Sequence, residues 1–104
     1  MKKYREHIER NGLINATHLE VSVYYTKGGL NYFSGGMIAR GYYISVTPVT
    51  ISDETIRYTA FTGCSQLMLE TQRYSDKQFD RAIEMAKEHR DALIATVVEK
   101  NKAA

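Results

Sequence analysis

Residues 17–26, THLEVSVYYT, alternate apolar and polar positions without a break. Leu19, Val21, Val23 and Tyr25 share one face, with Glu20, Ser22, Tyr24 and Thr26 on the other, which predicts a half-buried strand. GYYISVT at 41–47 repeats the pattern, with Tyr42, Ile44 and Val46 opposite Tyr43, Ser45 and Thr47. Pro48 is expected to end regular pairing or mark an edge or bulge, because proline has no ladder N–H. TIRYTAF at 55–61 reads as a third strand, with Ile56, Tyr58 and Ala60 on the core side and Arg57, Thr59 and Phe61 outside. Turn residues Ser52-Asp53-Glu54 make it the antiparallel neighbour of the second.

Elsewhere the period is helical. Ser75-Asp76-Lys77-Gln78 matches a capping box, and Phe79, Ala82, Ile83, Ala86, Arg90, Leu93 and Val97 recur at three- and four-residue steps behind it. This predicts a long C-terminal helix with a solvated outer face of alternating charge. Tyr4 and Ile8 with Gly12 behind them predict a short basic N-terminal helix over residues 1–12, and SQLMLETQRY a second short helix. The expected fold is a single α+β domain over 1–104. A three-stranded antiparallel sheet packs on the long helix, and the tail frays over 100–104.

The glycine-rich stretch KGGLNYFSGGMIARGYY fits neither a phosphate loop nor a dinucleotide fingerprint, and no helix follows it to hold a phosphate. Gly28-Gly29 and Gly35-Gly36 instead predict two tight turns around a short extended piece. The result is an arm that extends the sheet or projects from it, carrying Tyr32 and Phe33 near Lys27 and Arg40. Those two rings either face outward or fold back into the core.

At 104 residues the chain holds one modest core, and its apolar and charged fractions are those of a soluble globular protein. A single cysteine, Cys64, with a charged N-terminus and no apolar run behind it, implies a reducing, cytoplasmic setting. The formal charge of +2 resides in the first ten residues, so no Lys/Arg cluster in the middle marks a phosphate surface. Catalysis is not indicated. Cys64 lacks a histidine close in sequence, no His/Cys pair has metal-ligand spacing, and the acidic pairs of the helix are offset by Lys and Arg. We expect no enzyme, metal or cofactor.

Tyr24, Tyr43, Arg57 and Phe61 remain, placed together on the sheet face away from the core among Ser22, Ser45, Thr47 and Thr59. Aromatics interleaved with arginine and hydroxyls suit a protein interface or a platform for single-stranded nucleic acid. A short helix or a homodimer partner would cover the same face.

The stretches YYTKGGLNYFSGGMIARGYYISVTPV and TAFTGCSQLMLETQRYSDKQFDRAIE resemble small uncharacterised proteins encoded on bacterial phages and conjugative elements. The likeness extends over residues 17–88. Some small proteins of that setting are anti-CRISPR inhibitors. The resemblance implies a non-catalytic, anti-defence binding protein with a CRISPR effector nuclease or similar nucleoprotein as partner, and it transfers no site residue. Many such inhibitors look like acidic DNA mimics. This near-neutral chain does not have that character, which leaves contact through aromatic and arginine side chains. A single-stranded nucleic-acid module for element maintenance or transfer is the alternative.

Overall fold

The computed structural model describes residues 2–30, 35–58 and 63–102. Among the described residues seven strands precede one helix: β1 (Tyr4–Glu9), β2 (His18–Thr26), β3 (Gly29–Leu30), β4 (Met37–Ile38), β5 (Gly41–Ser52), β6 (Thr55–Tyr58), β7 (Cys64–Glu70) and α1 (Asp76–Lys100). An antiparallel sheet packs against the long helix. Its order is β1-β2-β5-β6, with β7 also paired to β5. The glycine-flanked arm does not extend this sheet: β3 and β4 form a separate two-stranded ribbon, Gly29 opposite Ile38 and Leu30 opposite Met37.

Both expected short helices are strands. The N-terminal segment pairs with β2 from Tyr4 opposite Val23 to Glu9 opposite His18. Tyr4 and Ile8 are four apart, but with Glu6 they also form a period-two row, and all three are half-buried. Glu6 belongs on that inner row because Arg90 of α1 donates to it at 3.1 Å. SQLMLE, read as helical, is most of β7, and a bulge opposite Tyr42/Tyr43 inserts one extra residue. The bulge lets both Met68 and Leu69 reach the core, which hides the alternation in sequence.

Of the two expectations at Pro48, an end to regular pairing is not met, whereas a place at a strand edge is. β5 is twelve residues long and runs through the proline. Val49 C=O accepts from Thr17 N–H on the β2 side, so Pro48 turns its nitrogen to the opposite edge. On that edge β7 ends opposite Val46 and β6 begins opposite Val49. Among the described residues neither strand pairs with Pro48, so its missing N–H breaks no described ladder bond.

The core lies between sheet and helix. Leu19, Val21, Val23, Tyr42, Ile44 and Val46 meet Phe79, Ala82, Ala86 and Val97, all buried. Ser75 caps the helix as expected, accepting from Gln78 N–H at 3.1 Å. The reciprocal half of the capping box is replaced from the sheet. The fully buried Tyr42 hydroxyl accepts from Ser75 N–H at 2.9 Å and lies 3.0 Å from Ser75 C=O and 3.4 Å from Gln78 Oε1. At the other end Asn101 is buried, its side chain donates to Val97 C=O, and its own carbonyl accepts from Ile14 N–H at 2.7 Å. Fraying therefore does not begin at residue 100. An isolated bridge from Leu13 to Lys102 extends this anchorage.

Candidate functional site on the open sheet face

Helix α1 packs against β2, β5 and β7 on one side of the sheet. Among the described residues no element packs on the other side. Strand pairing arranges that open face in cross-strand rows. Tyr24 lies opposite Tyr43, which lies opposite Leu67; Ser22 lies opposite Ser45, opposite Ser65; Glu20 lies between His7 and Thr47; His18 lies opposite Val49, opposite Tyr58.

The Tyr24 and Tyr43 rings stack at 5.9 Å between centroids and 16° between planes. Such offset stacking of directly opposed residues holds two aromatic faces as one plate. The Tyr43 hydroxyl donates to Ala39 C=O at 2.7 Å, fixing its ring to the base of the arm. Burial pushes the Tyr24 hydroxyl above the usual tyrosine range, with the neighbouring Tyr43 adding to the effect. Beside the plate, Lys3, Arg5, Ser22 and Tyr24 line part of a shallow recess of about 150 Å³.

Arg57 is not on this face. The Asp53-Glu54 turn has both residues at positive φ, 49° and 65°, which makes a tight two-residue hairpin. The turn sets Thr50 opposite Arg57 and Val49 opposite Tyr58. Paired residues share a side, so Arg57 joins Thr50 on the helix-facing side, lining a polar recess of about 400 Å³ at the turn. Tyr58, expected in the core, stands on the open face and is 55% exposed. A one-residue error of phase exchanged the two, as the period-two geometry of a strand requires.

Arg40 is a structural latch. Its guanidinium donates to Lys27 C=O at 3.1 Å and to Gln72 C=O at 3.2 Å, tying the arm base to the chain before α1. Lys27 is exposed beside it. Tyr32, Phe33 and Phe61 lie outside the described residues. Leu30 and Met37 on the arm ribbon are 53% and 77% exposed.

A second cluster was not foreseen. Glu20 has a side chain only 8% exposed although it belongs to the open face. His7 Nε2 lies 2.9 Å from its Oε2, Tyr58 donates to the same oxygen at 3.0 Å, and Arg5 Nε lies 3.7 Å from Oε1. The carboxylate thus braces β1 and β6 against the centre of the sheet. Alternation placed Glu20 on the outer face, but its partners come from strands 13 and 38 residues away. No local sequence signal identifies them. A buried carboxylate with donors on two sides is satisfied rather than reactive.

The Glu20 carboxylate also raises the Tyr58 pKa above its ordinary 10.0, chiefly by accepting its hydroxyl proton, with burial adding to the shift. The neutral phenol is the favoured form, so this contribution to stability is full below pH 10 and lost as the pH rises through the raised value. Glu20→Gln should bring Tyr58 back toward the ordinary tyrosine range in an absorbance titration. An unchanged titration would refute the link.

Cys64 opens β7 half-buried, with Lys100 Nζ 3.1 Å from its sulfur. Among the described residues no three His, Cys, Asp or Glu side chains are grouped to hold a metal ion, and no helix is long and apolar enough to cross a membrane.

Fold and face together define an α+β protein whose sheet surface opposite the helix has no packed element among the described residues, and which carries a half-buried tyrosine plate edged by basic residues. The chain matches no family model, and no significant match is found among curated proteins or solved structures.

Proposed function

We propose that this chain is a non-catalytic binding protein of a mobile genetic element, acting in the cytoplasm, which docks its open sheet face on a host nucleoprotein effector and inhibits it in the manner of an anti-CRISPR protein. The observation that carries the reading is the stacked Tyr24–Tyr43 plate. It is a rigid, pre-assembled aromatic surface beside Lys3 and Arg5, on a face that no described element covers. Aromatic and arginine anchors of this kind dominate the energetics of protein interfaces, and a plate already ordered loses little entropy on docking.

Pull-down with CRISPR effector nucleases, coupled to a target-cleavage assay, tests the proposal. Wild-type protein should bind and suppress cleavage. The Tyr24→Ser/Tyr43→Ser double variant should bind at least about 30-fold more weakly, the loss expected when a single hot-spot residue is removed. Absence of binding, with full cleavage across several effectors, would sink the idea.

The neighbouring cations favour one second reading, a platform for single-stranded nucleic acid. Affinity for an oligonucleotide would then fall linearly in log salt, and Lys3→Ala would flatten the slope. A protein partner gripped by the tyrosine plate would show far less salt dependence.

A further inference from the structure

Among the described residues strand β1 is an edge of the sheet and pairs only with β2. Arg10 N–H, just beyond it, donates to Thr17 C=O on the β2 side. Backbone groups alternate along a strand, so those of Arg5, His7 and Glu9 point away from β2 to the open edge. They have no partner among the described residues. Exposed edges are usually blunted by shortness, proline, a bulge or charged side chains, inward-pointing ones included. Strand β6 has only four residues, and β7 carries a bulge. β1 is six residues long and pairs with β2 in unbroken register; its edge charges, Arg5 and Glu9, are of opposite sign, and the inward Glu6 is already paired with Arg90.

The side chains on its open-face row are Arg5, His7 and Glu9, opposite charges placed symmetrically about a histidine. We propose that two copies of this chain join antiparallel along β1, about a two-fold axis through His7, to form one continuous ten-stranded sheet. Arg5 then faces the partner's Glu9, and Glu9 faces the partner's Arg5. Both pairs are of the directly opposed, opposite-charge kind that favours strand association.

Backbone parity restricts register shifts to steps that keep outward groups facing outward groups. One such shift sets Glu6 against the partner's Glu6, and the other leaves only residues 7–9 of β1 paired. The register centred on His7 alone pairs residues 5–9 without opposing like charges. Glu9 has no ion-pair partner among the described residues of its own chain, and the contact from Arg5 to Glu20 is long, at 3.7 Å. Because the axis runs perpendicular to the sheet, both helices fall on one side and both tyrosine plates on the other. The dimer therefore presents two plates on one surface. It does not depend on what docks there.

Light scattering after size exclusion, with the 11.9 kDa chain as reference, tests the proposal. Wild-type protein should have the mass of two chains. Arg5→Glu and Glu9→Lys should each weaken self-association by at least about tenfold, since each converts both symmetric pairs to like charges. An equimolar mixture of the two variants should regain the dimer. In the mixed pair the introduced acid of one chain faces the introduced base of the other, and the native Arg5 faces the native Glu9. Circular dichroism confirms that each variant is folded. Should Arg5→Glu not fold, Glu9→Pro serves in its place, since it removes an edge N–H without disturbing the β1–β2 ladder, and it should be monomeric. A monomeric wild type up to millimolar concentration would overturn the proposal. So would a dimer whose mass neither Glu9 variant lowers. Loss of the dimer in a Glu9 variant with intact partner binding would leave the docking proposal standing.

Discussion

Replacing Tyr42 with alanine is expected to destabilise the protein by about 3–5 kcal/mol or more, the range for deleting a large core aromatic. Tyr42 has no exposed surface. Its ring meets Tyr25, Tyr74 and Phe79 at centroid distances of 5.2, 5.9 and 6.2 Å. Tyr25 and Tyr74 are only half-buried, so the cluster can collapse only in part and a cavity remains. The hydroxyl acts separately. It accepts Ser75 N–H and lies within hydrogen-bond reach of Ser75 C=O, so its loss leaves the start of α1 unsatisfied. Tyr42→Phe isolates that part and should cost about 1–3 kcal/mol, the penalty for unpaired buried polar groups. Against a typical total of about 5–15 kcal/mol, the alanine variant should lose a large share of its stability. Urea unfolding followed by circular dichroism reads both. A Tyr42→Phe variant as stable as wild type would show that the hydroxyl does not matter to the helix start.

Gly41→Ala should be nearly as damaging, although it adds a single carbon. A Cβ there would lie 2.3 Å from Leu69 O and 2.9 Å from Glu70 Cα, which are backbone atoms of β7 and cannot rotate away. The glycine φ of 158° is also one that side-chain-bearing residues rarely adopt. Overpacking costs about 1–3 kcal/mol and rare backbone conformations a similar amount, so about 3 kcal/mol or more is expected. The strain should concentrate at the β5–β7 pairing, giving a lower urea midpoint and faster amide exchange in β7 than in β1. Unchanged stability would mean that β7 stands further from β5 than described. Gly12→Ala, where nothing lies within 4 Å, is the control for strain without a clash.

These two neighbours, Gly41 and Tyr42, also show how far the sequence could be read. The alternation of residues 18–26 and 41–47 was legible because one side faces a helix and the other does not, so burial wrote itself into the pattern. The C-terminal helix and its serine cap were legible for the same reason. The N-terminal strand was not, because Glu6 occupies an inner position and reaches Arg90, 84 residues away. In β7 the bulge brings Met68 and Leu69 into the core together and erases the period. In both segments long-range packing overrides local propensity.

The site was legible in part. Tyr24 and Tyr43 were placed on the open face by parity alone, and the structure stacks them. Arg57 and Tyr58 were exchanged because their phase depends on the length and handedness of the Asp53-Glu54 turn, which sets the register of everything after it. The Glu20 cluster was invisible, since its partners reach it from two other strands, β1 and β6, far away in sequence.

The gap at Pro48 has one more effect. Strands β6 and β7 pair with the same edge of β5, one along Val49–Ser52 and the other along Gly41–Val46, so each occupies the stretch into which the other would slide. The proline between them has no N–H to donate to either strand. The open face therefore keeps its tyrosine plate in place through two short strands acting as mutual stops, neither of which carries the plate itself.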